Sequence, residues 1–199
     1  MSKPFKIPCV ILCGGRSSRM GEDKSLLPFC NSNSLTQYQY DKLKPFFSEI
    51  YLSSKIDKFD FLINKDKYLI LDRNEIFSPI VALQTIFKII KTPKVFILTV
   101  DTPLVSIDSI EKLINESVNS DICVAQTQRV HNLCGVFSTK LDNFINKMLI
   151  NDIHKVGYLL KNNNTKYIDF DNDDEFINLN NKDEYKRALS IISKSNKYI

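Results

Sequence analysis

Short apolar runs rich in β-branched residues alternate along this chain of 199 residues with segments of helical periodicity. The apolar runs, predicted as strands, cover residues 8–13, 49–53, 68–72, 95–100 and 121–125. Helices are predicted over residues 35–47, 79–90, 110–117 and 182–193. Ser34 can cap the first helix, and Pro79 suits the first turn of the second. The third helix can be capped by Ser106 or Asp108. This alternation predicts βαβ units, and hence a three-layer, Rossmann-like α/β fold with a mostly parallel sheet.

The length of the chain fits one domain, because single domains commonly run to about 200 residues. No Pro- or Gly-rich linker and no repeat divides the sequence, so residues 1–199 are predicted to form a single domain. No apolar run approaches the roughly 20 residues that a membrane-spanning helix needs. The charged start of the chain has no apolar segment of the kind found in secretory signal peptides. The expectation is a cytoplasmic protein with no membrane partner.

The net charge and the cysteine content bear on which partners and which kinds of structural site the protein has. The formal net charge of +4 is spread along the chain, whereas nucleic-acid binders concentrate basic residues on one face. No nucleic-acid partner is therefore predicted. The five cysteines are odd in number and contain no C-x-x-C pair, so neither a disulfide framework nor a zinc site is indicated. Most of these thiols are predicted to be buried.

The segment from residue 11 to residue 24 follows the first apolar run and contains three glycines, two arginines and a lysine. Gly14 and Gly15 have no Cβ, so their N–H groups can approach a phosphate closely. Arg19 and Lys24 can supply cations to phosphate oxygens. The spacing of the glycines fits neither a P-loop nor a dinucleotide fingerprint. A phosphate-binding loop of another kind is therefore predicted.

A carboxylate is predicted at the same edge of the sheet as this loop. The apolar run 95–100 leads directly into Asp101, and Pro103 lacks an N–H and should end the strand near there. In open parallel sheets, ligands bind outside the carboxyl ends of the strands. Mg²⁺ prefers one or two carboxylates together with substrate phosphates and waters. Asp101 is therefore predicted to hold Mg²⁺; the alternative is that it only caps the next turn.

Residues 12–27 resemble the signature L-x-G-G-x-x-x-R-M-G-x-D-K-x-L-L of nucleotidyltransferases that activate a phosphorylated acceptor with an NTP. The matching residues are Leu12, Gly14, Gly15, Arg19, Met20, Gly21, Asp23, Lys24, Leu26 and Leu27. The Asp-Thr-Pro segment at Asp101 resembles the Mg²⁺ motif of the same enzymes. The tail from Phe176 resembles their F-x-N-x-N-x-x-E/D ending. Over nearly the whole chain the sequence is similar to the molybdenum cofactor guanylyltransferases.

This resemblance implies transfer of GMP from GTP to the terminal phosphate of the molybdopterin cofactor, with release of pyrophosphate. Arg19 and Lys24 would stabilise the charge of the reacting phosphates, and Asp101 would hold Mg²⁺. The residues that would bind the nucleotide or the acceptor are Leu12, Cys13, Gly14, Gly15, Lys24, Asp72, Asp101, Asn178 and Asn180. The resemblance also implies contact with proteins that handle the molybdenum cofactor and with apo-molybdoenzymes.

For several of these residues, the implied binding role competes with a simpler structural one. Asp72 would contact the nucleoside part of GTP, although an Asp at the end of a strand can also cap a turn. Asn178 and Asn180 would contact the pterin or phosphate of the acceptor, although both stand in a polar turn of an Asn-rich chain. His131 lies near a segment that faces the acceptor in the family. Cys13 is interpreted as a small buried residue rather than a nucleophile.

Two alternatives to guanylyl transfer stay open on the sequence. One is cytidylyl or sugar-phosphate nucleotidyl transfer by the same fold. The other is a nucleotide-binding adaptor without catalysis that takes part in cofactor delivery. The joint presence of Arg19, Lys24 and Asp101 argues against the adaptor, because an adaptor needs no carboxylate for Mg²⁺.

Overall fold

The structure is a computed structural model that describes residues 4–14 and 23–195. The strands within these ranges are β1 (Cys9–Leu12), β2 (Ile50–Ser54), β3 (Leu69–Leu71), β4 (Lys94–Thr99), β5 (Ile122–Gln126), β6 (Val130–Ser138) and β7 (Thr165–Asp169). The helices are α1 (Leu35–Leu43), α2 (Lys65–Tyr68), α3 (Pro79–Ile89), α4 (Ile107–Glu116), α5 (Asp142–Ile150), α6 (Val156–Lys161) and α7 (Lys182–Ser195). A short 3-10 turn, Lys24–Leu26, precedes α1.

The strands form one seven-stranded sheet in the order β3-β2-β1-β4-β6-β5-β7. β6 runs antiparallel to both of its neighbours, β4 and β5. Every other pair of neighbouring strands is parallel. The prediction of an α/β fold with a mostly parallel sheet is confirmed.

The register brings the carboxyl ends of the first four strands to one edge of the sheet. Leu12 at the end of β1 lies opposite Ser53 of β2 and Thr99 of β4. Ser53 in turn lies opposite Ile70 of β3. Segments that follow these strands therefore start side by side, as ligand sites of open parallel sheets require.

Helices cover both faces of the sheet, because alternate residues of each buried strand point to opposite sides. On one face, Ile11 of β1 packs in a core with α1, α4 and α7. On the other face, Val10 and Leu12 pack with α3, α5 and α6. The fold is thus the predicted three-layer arrangement of helices, sheet and helices.

Serine hydroxyls cap three of the helices that the sequence predicted. The side chain of Ser34 accepts a hydrogen bond from the N–H of Gln37 at the start of α1. Ser78 accepts from the N–H of Ile80 at the start of α3, directly before Pro79. Of the two candidate caps for α4, Ser106 is the one that makes the bond. These hydroxyls satisfy N–H groups that a helix leaves without an internal partner.

Four elements between β5 and α7 were not predicted from the sequence, namely β6, α5, α6 and β7. β6 begins with polar residues such as His131 and Asn132 and contains Gly135, so it does not read as an apolar run. β7 lies at the edge of the sheet and exposes Lys166 and Tyr167. An edge strand needs little apolar surface, and charged residues there oppose unwanted pairing. Polar residues and a glycine thus interrupt the apolar pattern of β6, and β7 is largely polar, so neither strand was predicted.

Gly135 is a position where the sheet requires glycine. A Cβ there would lie 2.1 Å from the carbonyl oxygen of Cys123 and 2.8 Å from Cα of Val124, both backbone atoms of β5. We expect Gly135→Ala to destabilise the protein by about 1–3 kcal/mol or more, because backbone in a central strand cannot move away cheaply. Chemical denaturation measures this change.

Gly157→Ala is the matched control. A Cβ at Gly157, in α6, would meet no described atom within 4 Å apart from the nearby backbone of its own helix. The same substitution should there be neutral or stabilising by up to about 1 kcal/mol, through helix propensity. Equal stability of the two variants would contradict the steric argument for Gly135.

Candidate functional site

Two cavities open at the carboxyl edge of the sheet. The first has a volume of about 240 Å³ and the second about 280 Å³. Thr99, at the end of β4, and Leu133, on β6, line both of them. The first cavity is also lined by Leu12, Gly14, Ser53, Ser54, Lys55, Asp72, Phe77, Ser78, Pro79 and Ala82. The second is also lined by Asp101, Thr102, Arg129, Val130, His131, Asn132, Cys134 and Asn178.

Three of the residues that the sequence singled out lie together at this edge. Nζ of Lys24 lies 4.0 Å from Oδ2 of Asp101. The same Nζ donates a hydrogen bond to Oδ1 of Asn180 at 3.2 Å. Lys24 belongs to the 3-10 turn before α1, Asp101 follows β4, and Asn180 precedes α7. The fold therefore joins a cation, a carboxylate and an amide from three distant parts of the chain.

The segment before α7 is bonded to the residue after β4 and to α7 itself. The N–H of Leu179 donates to the carbonyl oxygen of Asp101 at 2.8 Å. The N–H of Asn180 donates to Oε2 of Glu184 in α7 at 2.6 Å. These bonds fix the two asparagines, so that Asn178 lines the second cavity while Asn180 contacts Lys24.

The carboxylate of Asp101 has the properties expected of a ligand for a hard cation. Its Oδ1 atom is buried and has no hydrogen-bond partner among the described residues. A buried polar atom without a partner costs about 1–3 kcal/mol, and a bound cation would remove that cost. No group of three or more His, Cys, Asp or Glu side chains that could hold a metal occurs in the described ranges. A carboxylate oxygen in this position is suited to Mg²⁺, which binds through one or two carboxylates and completes its shell with phosphates and waters.

Asp72 lies in the first cavity and is nearly fully buried. Its Oδ2 accepts from Nζ of Lys55 at 2.7 Å, and its Oδ1 accepts from the N–H of Asn74 at 3.1 Å. Asp72 therefore caps a turn and also lines the first cavity. Lys55 also donates to the carbonyl oxygens of Asn74 and Ile76, at 2.5 and 2.9 Å. This lysine, which the sequence analysis missed, fixes the segment that forms one wall of the cavity.

Leu12, at the end of β1, and the two residues after it lie partly at the first cavity and partly in the core. Leu12 and Gly14 line the first cavity, and a Cβ at Gly14 would meet no described atom within 4 Å. The Cys13 side chain instead packs in the core on the α1 face. Burial raises the pKa of its thiol to about 12, which keeps it protonated and unreactive. Cys13 is thus a small buried residue, as predicted. Gly15 and Arg19 lie outside the described residues.

His131 is buried beside the second cavity. Its ring stacks on Phe176 with centroids 4.8 Å apart, and its Nε2 lies 2.9 Å from Oγ1 of Thr127. That hydroxyl donates to Oδ1 of Asp173 at 2.6 Å, so Nε2 of His131 serves as the donor to Thr127. Burial lowers the pKa of His131, and the neighbouring charge of Arg129 lowers it further against the opposing effect of Asp173. The imidazole is therefore neutral near pH 7. Its stacking on Phe176, and its bond to Thr127, which in turn bonds to Asp173, hold the segment before α7 against β6.

Lys58 is a second lysine at this edge that sequence reasoning missed. Its Nζ donates to the carbonyl oxygen of Cys13 at 3.3 Å and to Oδ2 of Asp23 at 2.5 Å. Nothing in the sequence distinguishes Lys58 from the other lysines between residues 55 and 67. Only the packing of the segment after β2 brings it to the loop.

Lys24, Asp101 and two adjoining cavities at the carboxyl edge of a mostly parallel sheet form a site suited to a nucleotide and its phosphates, as in the class of α/β nucleotidyltransferases. Comparison with known proteins gives the family. Residues 9–162 match the model of the MobA-like NTP transferase domain. The chain belongs to the MobA-like NTP transferase family.

Relatives of known name extend this similarity over most of the chain. The chain is 39% identical over 189 residues to the molybdenum cofactor guanylyltransferase of Campylobacter jejuni subsp. doylei, with 93% of this chain and 96% of the relative covered. It is 31% identical over 195 residues to the protein of the same name from Helicobacter pylori, with 96% and 95% covered.

Solved structures share the fold. The molybdopterin-guanine dinucleotide biosynthesis protein A of Archaeoglobus fulgidus superposes with a TM-score of 0.77 at 20% identity, over 94% of this chain and 100% of that one. A protein of Aquifex aeolicus superposes with a TM-score of 0.72 at 29% identity, over 89% and 95%. Among the described residues, no helix is both long and apolar enough to span a membrane.

Proposed function

We propose that this protein transfers GMP from GTP to the terminal phosphate of the molybdopterin cofactor and releases pyrophosphate. The observation that carries the proposal is the meeting of Lys24, Asp101 and Asn180 beside two adjoining cavities. A transfer between two large substrates needs a pocket for each of them and charged groups near the reacting phosphates. The names of the Campylobacter and Helicobacter relatives support the choice of substrates.

The first cavity suits the nucleoside of GTP. Asp72 already accepts from Lys55 and Asn74 and, at 3.5 Å, from the hydroxyl of Thr85. A carboxylate offers about four lone-pair positions, so one remains to accept from an N–H of guanine or from a ribose hydroxyl. Phe77 lines the same cavity and is half exposed, which supplies an aromatic surface for a base.

The second cavity suits the acceptor. Asn178 lines it with a side chain that both donates and accepts, as the edge of a pterin requires. Arg129 lines it as well, and a guanidinium is suited to a phosphate. Because Asp101 lines this cavity and lies near Lys24, the acceptor phosphate would bind next to these two charged side chains.

In the proposed reaction, an oxygen of the acceptor phosphate forms a bond to the α-phosphorus of GTP. The bond from that phosphorus to the bridging oxygen of the β-phosphate breaks, and pyrophosphate leaves with the electron pair. The ammonium of Lys24 would offset negative charge on the phosphate oxygens and on the leaving group. Mg²⁺ held by Asp101 would supply further positive charge to the phosphates. No side chain needs to act as a nucleophile.

The test is release of pyrophosphate by the purified protein with Mg²⁺, molybdopterin cofactor and either GTP or CTP. Release with GTP alone is the expected result. Release with CTP alone would contradict the assignment of guanine, although it would keep the reaction class. Tight binding of GTP without release under any condition would favour the non-catalytic adaptor instead. Contact with cofactor-handling proteins and a cytoplasmic location stay predictions of the sequence.

A further inference from the structure

Lys55 lines the first cavity directly after β2 and uses all of its hydrogen-bond donors within the protein. Its Nζ donates to Oδ2 of Asp72 at 2.7 Å. It also donates to the carbonyl oxygens of Asn74 at 2.5 Å and Ile76 at 2.9 Å. A lysine ammonium carries three hydrogens, so these three acceptors take them all. The hydrogen bonds of Lys55 can therefore affect a bound nucleotide only through the groups that it holds.

The three acceptors belong to one segment, residues 72–77, which we call the cavity wall. This segment lies between β3 and α3 and contains no helix or strand. Residues 73–77 are all exposed, so burial of apolar surface contributes little to holding them in place. The N–H of Asp72 donates to the carbonyl oxygen of Ser54 at 2.9 Å, which fixes the start of the wall. The bonds from Lys55 to Asn74 and Ile76 hold its middle.

Lys55 also contacts the two side chains of the wall that the proposed function assigns to the nucleoside. The side chains of Lys55 and Asp72 are 19% and 4% exposed, so solvent and salt screen this pair less than a surface pair. Nζ of Lys55 lies 5.2 Å from the centre of the Phe77 ring, within the range of cation–π attraction. One ammonium group thus contacts both the carboxylate and the aromatic ring on this side of the cavity.

We infer that Lys55 is a positioning residue for the nucleoside of the substrate, because it holds Asp72, Phe77 and the cavity wall in place. The inference rests on the proposed function, since it concerns binding of the same nucleotide. Because the donors of Lys55 are all used inside the protein, its loss should weaken binding of guanosine and of GTP by the same factor. A lysine that contacted the phosphates directly would instead matter far more for GTP than for guanosine.

The experiment titrates Lys55→Met and the wild type with guanosine and with GTP by calorimetry, in the absence of the acceptor. Methionine keeps the unbranched stem of the side chain and removes the donors. We expect affinity for each probe to fall about tenfold, or about 1.4 kcal/mol, with the number of sites per protein unchanged. A variant that had only misfolded in part would instead show fewer sites at an unchanged affinity.

Asp72→Asn provides a second background for the same substitution. Lys55→Met alone leaves the buried carboxylate of Asp72 without its cation, whereas the double variant leaves no unpaired charge there. Groups that act through each other give non-additive effects, so we expect loss of Lys55 in this background to weaken guanosine binding only about threefold. Unchanged affinity in this background would overturn the inference, also where the single variant folds poorly. Equal losses in both backgrounds would show that Lys55 does not act through Asp72, which would overturn it as well.

Lys65→Met is the matched control. Lys65 pairs with Asp57 at 2.8 Å, but the side chains are 31% and 45% exposed, and such surface pairs contribute little. Lys65 lines neither cavity, so the control should bind both probes as the wild type does. The inference is overturned if Lys55→Met binds guanosine normally, if GTP loses far more affinity than guanosine, or if the wild type does not bind guanosine. A wild type that binds both probes but releases no pyrophosphate would contradict the proposed function and leave the comparison for Lys55 valid.

Discussion

Asp101→Asn should lower the rate of pyrophosphate release by at least about 10²–10³-fold, the loss typical of one well-placed electrostatic group at a transition state. The substitution removes the charge that would hold Mg²⁺ and preserves the shape of the side chain. Oδ1 of Asp101 is buried without a partner among the described residues, so the wild type gains no stability from that atom. The melting temperature of the variant should therefore be unchanged or higher.

Steady-state kinetics and thermal unfolding of the same samples test this prediction. Asp108→Asn is the control, because Asp108 is an exposed residue in the first turn of α4. The control should keep wild-type activity. A turnover of Asp101→Asn within a few-fold of wild type would remove Asp101 from the mechanism. A large fall in melting temperature would show that the carboxylate stabilises the fold instead.

Lys24→Met should reduce turnover by a similar factor of about 10²–10³, again with little change in stability. Methionine keeps the unbranched stem of the side chain but cannot donate to Asn180 or place positive charge beside the phosphates. Lys91→Met is the control, because Lys91 is exposed and donates only to the carbonyl oxygen of Lys88 among the bonds described for its Nζ. Near-normal turnover of Lys24→Met would contradict the proposed role.

The double variant tests whether the two charges act together. Nζ of Lys24 and Oδ2 of Asp101 lie 4.0 Å apart, and groups in contact give non-additive effects. We expect Lys24→Met combined with Asp101→Asn to lose less activity than the product of the two single losses. A strictly multiplicative loss would indicate that the two side chains act at separate steps.

Much of the fold could be predicted from local sequence. Each end of the strands β1 to β5 was predicted to within one residue, because buried strands need apolar residues and turns need particular ones. Ser34 and Ser78 cap helices; the first of these was named in advance, and the second precedes a proline that marked the helix start. Pro103 correctly indicated that β4 ends just before Asp101.

Two residues of the proposed site, Lys24 and Asp101, were predicted from local sequence. The lysines that hold neighbouring segments in place were not. Lys24 and Asp101 were each found from the loop and the strand that precede them, and the register of β1 with β4 then brings the two segments together. Lys55 and Lys58 were missed, because a lysine among other lysines carries no local signal. Their roles follow from where the segment after β2 packs.

By itself the sequence determined the fold class and the place of the carboxylate after β4, because periodicity and a proline act over a few neighbouring residues. The binding of phosphate by the loop from residue 11 to residue 24 stays a prediction. Tertiary structure alone decided that β6 enters the sheet between β4 and β5. It alone decided that Asn180 contacts Lys24 from 156 residues away, and that Lys58 contacts both Cys13 and Asp23. Such contacts depend on strand register and side-chain packing, which are set by the whole chain and not by any local segment.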